Sequence, residues 1–309
     1  MAMPLVNKSF GNMVLRECIG MGGAAEVWRA ERVSDHQPFA IKVLRPERAE
    51  DKYIVRCFER EIEALGDLKH PAIPALRGKG TVEGLPAFAM DYVPGTNLAV
   101  LMGKGSVFPA LKALTTLVEV TAFLHEQEMV HNDIKLDNAV LSNDGSGRLW
   151  LVDFGNIRRV GRFNPLSALF FRSPVKVFGT ATYLAPELLS GKKATKQSDI
   201  YALGVCCFIL LSGKPPYASA ATQSSRLRAN QRADPAAIGG RVRGIPPGAA
   251  QVIDDCLAKE PGDRPKDVKM LLSAVRSLAG RLPEMPWKTG PGPGQAGQKG
   301  APSRGDLAR

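Results

Sequence analysis

The chain predicts an α+β fold in two lobes: a small β-rich lobe with one major helix, then a larger, mainly helical lobe. Three observations carry this. Short strand-like runs broken by turn residues fill the chain before Pro94-Gly95, and helical periodicity dominates after it. The 309 residues also suffice for two lobes with real cores. Strands first and helices after is the order of an architecture that segregates the two.

The elements follow in sequence. Residues 14–19, 26–29 and 39–44 read as strands, separated by turn signals at Gly20, Gly22-Gly23 and Ser34-Asp35. Ile54, Phe58, Ile62, Leu65 and Leu68 keep helical spacing, and Pro71 and Pro74 close that unit. Strand material returns over residues 85–93. Beyond it, Leu111, Leu114, Leu117, Val118, Thr121 and Leu124 form a helical stripe. Residues 199–211 are apolar nearly all round, which predicts a buried helix. Residues 252–257 and 268–278 add two more helical stretches. The expected boundaries are 11–93 for the first lobe and 94–282 for the second, joined near residues 92–95. From residue 283 the composition falls to Pro, Gly, Gln and Ala, which predicts a disordered Pro/Gly-rich tail over 283–309.

Hydrophobic residues at 44% and charged residues at 23% match an ordinary soluble globular protein. The longest apolar run, 205–211, is far short of a bilayer span, and the first residues lack a signal-peptide pattern, so a soluble protein is expected. Cys18, Cys57, Cys206, Cys207 and Cys256 include no C-x-x-C pair and are odd in number. That argues against a disulfide framework or zinc site and for a reducing, cytoplasmic setting. The net charge of +11 admits nucleic acid, an anionic membrane, acidic protein partners or a plain solvated surface. No aromatic or groove-reading pattern accompanies the tail or the basic stretch 226–243, so no nucleic-acid or membrane binding is evident.

Three motifs carry chemistry. Gly20-Met21-Gly22-Gly23-Ala24-Ala25-Glu26-Val27 lies between two predicted strands, where a dinucleotide fingerprint would need a helix after the glycines. A glycine hairpin can lay its backbone N–H groups over phosphates, although taken alone this motif fits a plain Gly-rich turn better. In Phe39-Ala40-Ile41-Lys42-Val43-Leu44, a lysine centred in an apolar strand needs an anion once it loses water. Glu61 in the following helix is the candidate, against a lysine that simply faces solvent. The third motif is the most specific. His131-Asn132-Asp133-Ile134-Lys135-Leu136-Asp137-Asn138 is followed, fifteen residues after Asn138, by Asp153-Phe154-Gly155, and later by Ala185-Pro186-Glu187.

With these motifs in this order, the chain resembles the protein kinase superfamily over about residues 11–280, in the compact bacterial Ser/Thr form. The resemblance implies ATP as phosphoryl donor and Mg²⁺, with Mn²⁺ as the alternative. It implies Asp133 as the carboxylate that takes the acceptor proton and Lys135 as a contact to the γ-phosphate. Asn138 and Asp153 would supply metal ligands, and Lys42, held by Glu61, would hold the α and β phosphates. Gly20 and Gly22 would cover the phosphates, although Ala25 stands where a third glycine is usual. Val27 and Ala40 would sandwich the adenine, Met90 would be the gatekeeper, and Asp91 to Val93 the hinge. Asp199 resembles the brace of the catalytic loop, and Glu187 with Arg264 the ion pair beneath the A-P-E segment.

Lys135 and the run Gly179-Thr180-Ala181-Thr182-Tyr183, with Thr180 bonding near Asp133, resemble the Ser/Thr form. Asn132 departs from the family, because an arginine usually precedes the catalytic aspartate and grips an activation-loop phosphate. Activity without phosphorylation of that loop is therefore expected, its early hydroxyls being Ser167 and Ser173. Arg158, Arg159, Arg162, Arg172 and Lys176, with no acidic residue among them, favour acidic protein substrates, against the reading of a solvated loop. The absence of an obvious sensor region points to a regulatory partner. Two other readings remain: a small-molecule phosphotransferase of the same fold core, with which Asn132 agrees, and a non-catalytic pseudokinase serving as a binding module.

Overall fold

The structure, a computed structural model, describes residues 4–103, 110–160, 181–217 and 222–278. Six antiparallel strands form the first sheet: β1 (Ser9–Phe10), β2 (Met13–Met21), β3 (Ala25–Arg32), β4 (Pro38–Leu44), β5 (Leu76–Val82) and β6 (Leu85–Asp91). Their order is β1-β2-β3-β4-β6-β5, which places β4 at the centre between β3 and β6. One face buries Leu15, Trp28, Ile41, Val43, Val82 and Ala89 as its own cluster. The other face meets helix α1 (Lys52–Asp67), whose start is fixed by Asp51 accepting from the backbone N–H groups of Tyr53 and Ile54. Phe58, Glu61, Ala64 and Leu65 lie on its buried face. Phe58 packs on Phe88 of β6 with ring centroids 5.1 Å apart.

The rest of the described chain is mostly helical. β7 (Gly95–Asn97) leads into α2 (Leu98–Gly103) and α3 (Ala110–Glu126). Short strands β8 (Met129–Val130), β9 (Ala139–Ser142), β10 (Leu149–Leu151) and β11 (Arg158–Arg159) pair β9 with β7 and β10, and β8 with β11. Helices α4 (Pro186–Leu189), α5 (Lys196–Ser212), α6 (Gln223–Arg232), α7 (Pro247–Cys256) and α8 (Val268–Leu278) complete the lobe. The expected two-lobed α+β architecture is the one observed. A single apolar cluster continues from Leu44, Phe58 and Phe88 beneath the sheet, through Ile73 and Phe154, to Leu117, Tyr201 and Leu203.

Helix α5 is the axis of this lobe, and residues 198–208 are buried without a break. It is capped by Ser198 Oγ, which accepts from the Thr195 N–H, and it ends at Gly213 with φ +74°. Gly204 lets α7 approach closely: a Cβ at that position would lie 2.6 Å from the Cβ of Cys256. Cys206 and Cys207 are fully buried free thiols, as their apolar surroundings predict. Among the described residues, no helix is long and apolar enough to cross a membrane.

Several elements lie outside the runs read from the sequence, and two of them show why. β5 (LRGKGTV) has no apolar alternation and two glycines, yet it pairs along β6 as the edge of the sheet. Helix α6 (QSSRLRANQR) is polar enough to pass for a solvated basic stretch, and its Thr222/Ser225 capping box is the local signal that starts it.

Candidate active site

Strand β4 carries Lys42 in its middle, cross-strand from Val27 on β3 and Phe88 on β6. Helix α1 brings Glu61 against it, and both carboxylate oxygens accept from the Lys42 ammonium at 2.7 Å. Asp153 accepts from the same ammonium at 3.0 Å. Lys42 does not face solvent: its side chain is 13% exposed and that of Glu61 is 3% exposed, while that of Asp153 is 47% exposed and opens to the cleft. Burial works against the Lys42 charge, but Asp153 and Glu61 outweigh it and hold its pKa above the ordinary lysine value. The Lys42 charge in turn holds Asp153 down to about 2. Gly155 packs against the cluster: a Cβ there would sit 3.4 Å from both Asp153 Oδ1 and Glu61 Oε2, within ordinary contact.

Below this triad lies a second polar cluster. Lys135 donates to Asp133 Oδ2 at 2.8 Å. A tight turn over residues 136–138 folds Asn138 back, so that its side-chain amide donates to the Asp133 carbonyl at 2.8 Å and to Asp133 Oδ2 at 3.3 Å. These bonds fix the amide orientation and leave Asn138 Oδ1 as an oxygen donor on the other side. The Val152 N–H donates to the Asn138 carbonyl at 2.9 Å, which ties this loop to the segment bearing Asp153. Burial raises the Asp133 pKa above the usual aspartate range, and the Lys135 charge opposes that rise. Asn138 and Asp153 are hard oxygen donors of the kind Mg²⁺ prefers, with water and phosphate oxygens to complete its shell.

The loop backbone is held from α5. Asp199 accepts from the N–H groups of His131 and Asn132, each at 2.8 Å, and from His125 Nε2 on α3 at 3.1 Å. Asn132 adopts φ +60°, a left-handed conformation that asparagine tolerates better than most side chains. The His131 ring packs edge-on against Phe154 with centroids 4.9 Å apart, and burial lowers its pKa.

The remaining sequence candidates fall around these clusters. Gly20 pairs with Val27 across the β2–β3 hairpin, and the Gly22 N–H closes its turn on the Ala25 carbonyl at 2.9 Å. The side chain of Ala25 is buried in the apolar core. Ala40 and Met90 are cross-strand neighbours. Asp91 is occupied with β5: its carboxylate accepts from Arg77 and the Ala75 N–H, and its own N–H donates to the Ala75 carbonyl. Val93 follows, half-buried, where the chain leaves the sheet. Thr180 and Ser173, with Ser167, lie outside the described residues. Glu187 and Arg264 form a bidentate pair at 2.8 and 2.9 Å with almost no exposure. Burial opposes ionisation of Glu187, and Arg264 with Ser198 overcomes it, leaving the pKa below the usual value. His125 was missed from sequence, where a lone histidine at a helix end carries no signal.

A family model of the protein kinase domain matches residues 13–275. The chain belongs to the protein kinase family. This kinase is 32% identical over 257 residues to the serine/threonine-protein kinase PrkC of Bacillus subtilis, covering 82% of this chain and 38% of that protein. It is 31% identical over 280 residues to PknB of Mycobacterium tuberculosis, covering 88% of this chain and 44% of that protein. With PknF of the same species it shares 33% identity over 288 residues, 91% of this chain and 58% of the relative. The kinase thus spans from 38% to 58% of the length of these curated relatives. Its fold matches the crystal structure of a cysteine-to-alanine mutant of the M. tuberculosis PknI kinase domain with a TM-score of 0.65 at 24% identity, over 91% of this chain and 100% of that one.

The Glu187–Arg264 pair is the most enclosed ion pair of the kinase's helical lobe among the described residues. Arg264→Ala leaves a carboxylate buried without its partner and is expected to cost about 3–5 kcal/mol. Replacing both residues with apolar side chains should cost distinctly less. Urea denaturation of the three proteins checks this, and equal losses in the single and double variants would contradict it.

Proposed function

We propose that this kinase transfers the γ-phosphoryl group of ATP to serine and threonine hydroxyls of other proteins. The observation that carries the reading is the convergence of the Lys42–Glu61–Asp153 triad and the Asp133–Lys135–Asn138 cluster on one cleft. Phosphoryl transfer asks a protein mainly for positioning and charge neutralisation, and both clusters supply these. Lys42 holds the α and β phosphates beneath the Gly20–Gly22 hairpin. Val27 and Ala40 enclose the adenine, and the chain from Met90 through Asp91 to Val93 meets its edge. Asp133 orients the acceptor hydroxyl and accepts its proton, and Lys135 meets the transferring phosphoryl group. Asn138 and Asp153 would hold Mg²⁺, or Mn²⁺, which supplies further neutralisation of the phosphate charge. Thr180 takes part in receiving the acceptor.

The nucleotide lobe spans 11–93, the helical lobe 94–282, and residues 283–309 form a Pro/Gly-rich tail. The free thiols support a cytoplasmic setting. An acidic preference at the acceptor rests on Arg162, Arg172 and Lys176. Arg159 instead pairs with Asp67 on α1, and Arg158 donates to the Tyr53 hydroxyl. A regulatory partner remains part of the reading.

The direct test is phosphate incorporation into dephosphorylated casein from labelled ATP. Asp133→Asn should lower kcat by about 10²–10⁴-fold, the usual worth of a positioned base, and Lys42→Met should abolish detectable labelling. A wild-type protein that labels no polypeptide, itself included, would end the reading, as would transfer to amino alcohols or aminoglycosides in place of protein.

The pH profile gives a second check. Asp133 must be ionised to accept a proton, so activity falls as pH drops through its raised pKa, above the ordinary aspartate range. Lys135 favours the ionised form, so Lys135→Met should move this acidic limb to higher pH. A limb that stays in place would remove Asp133 from the role of base.

Asn132 has no charge to hold a phosphate, and its N–H is already engaged with Asp199. Activity is therefore independent of phosphorylation on the segment between Phe154 and Pro186. Phosphatase treatment and the Ser167→Ala, Ser173→Ala double variant should each leave kcat within about twofold, judged against the roughly 1.4 kcal/mol that a tenfold change represents. Loss of catalysis in either case would refute the independence.

A further inference from the structure

Asn230, on the polar helix α6, is fully buried, and its side-chain amide nitrogen meets three backbone carbonyls of a distant segment. It donates to the carbonyl of Ala181 at 2.6 Å, of Leu184 at 3.2 Å and of Thr182 at 3.3 Å. All three partners are acceptors, so the nitrogen must face them, and its two protons are shared among three oxygens. Its Oδ1 is buried with no hydrogen-bond partner among the described residues.

The gripped segment faces the catalytic loop on its other side. The Tyr183 side chain is buried in the same apolar cluster as Leu136, which lies between Lys135 and Asn138; burial raises its hydroxyl pKa, and the nearby backbone of Leu136 opposes that rise. Residues 181–184 are therefore held by Asn230 through their carbonyls and, through Tyr183, are packed in the apolar cluster that holds Ile134 and Leu136 of the loop carrying Asp133. They end at α4, which the Glu187–Arg264 pair anchors below. Asn230 is itself held from behind. The Lys259 ammonium donates to the carbonyls of Ala229 at 3.3 Å and Asn230 at 3.0 Å, at the C-terminal end of α6, where a cation is favourable. Lys259 also donates to the Tyr217 hydroxyl at 2.5 Å, and Tyr217 lies against Tyr201 of α5.

We infer that Asn230 is a positioning residue for the protein acceptor, fixing the register of residues 181–184 against Asp133 through their carbonyls. The inference rests on the kinase reading above. It makes α6 part of the acceptor side of the cleft while leaving the nucleotide side untouched.

The experiment uses the full chain with dephosphorylated casein as acceptor. Asn230→Asp keeps the side-chain shape but sets a carboxylate oxygen against the carbonyls, and Asn230→Ala removes the donor. Both should raise KM for casein or lower kcat/KM for it by about tenfold or more, the scale of about 1.4 kcal/mol. KM for ATP, and the slow hydrolysis of ATP without casein, should stay within about twofold on the same scale. Unchanged casein kinetics would overturn the inference, and so would parallel losses in the ATP parameters, which mark a general structural role. If both variants fail to fold, judged by thermal melting, Lys259→Met decides: it should give the same split with a smaller amplitude, and no split overturns the inference. A wild-type protein that hydrolyses ATP but labels no polypeptide would instead sink the kinase reading, and this inference with it.

Discussion

The structure depends first on how one ammonium group is kept ionised away from water. Lys42 sits in the central strand of the sheet, enclosed by apolar neighbours, and the desolvation of a charge is worth several kcal/mol in such a place. Two carboxylates from different parts of the chain offset it. Glu61 requires helix α1 to lie against the sheet with its buried face inward, and Asp153 requires the segment after β10 to reach up to β4. Three elements are thus tied to one atom, and none can shift without exposing the others' charge. Across the cleft, Glu61, Asp153 and Asp133 set three negative charges against the two positive charges of Lys42 and Lys135. The excess negative charge sits with Asp153, the exposed member, which is where a cation would be drawn.

The helical lobe solves a different problem, that of holding an irregular loop rigid. Backbone N–H groups at His131 and Asn132 have no strand or helix to bond to, and Asp199 supplies both acceptors from inside α5. Because α5 is buried almost all round, Asp199 cannot move without disturbing the whole lobe. The same helix begins beside the Glu187–Arg264 pair, where Ser198 donates to Glu187 and Arg264 bonds the Gln197 carbonyl. The loop over residues 131–138 and the segment beyond the D-F-G motif therefore share one support.

What the sequence revealed follows from which features need particular residue types. Lys42, Glu61, Asp133, Asn138 and Asp153 are legible because their tasks demand one charge or one donor set at fixed spacing. Helix α5 is legible because full burial leaves it apolar. Strand β5 was not, since an edge strand needs only backbone pairing, and Gly78 and Gly80 carry no side-chain pattern. Helix α6 was hidden by its polar surface residues, although the capping box at Thr222 marked its start. His125 and Asn230 were invisible for a deeper reason: each acts through a contact with residues dozens of positions away, and neither sits in a local pattern.

That difference divides the cleft. On the nucleotide side, the bound group would always be the same polyphosphate, so the protein meets it with the same few charges in the same order, and their spacing shows in the sequence. On the side proposed to receive the acceptor, the segment 181–184 is held by its backbone carbonyls, and a carbonyl is present at every residue. Any buried donor of the right reach can hold it, so the holding residue need not be the same type in every protein of this fold. The fold can then vary the helix that presents such a donor without disturbing Lys42 or Asp133. Under the proposed function, nucleotide chemistry would stay fixed while the surface proposed to meet a polypeptide is free to change, and the residues that set the latter are found only by tracing which carbonyls are claimed and by whom.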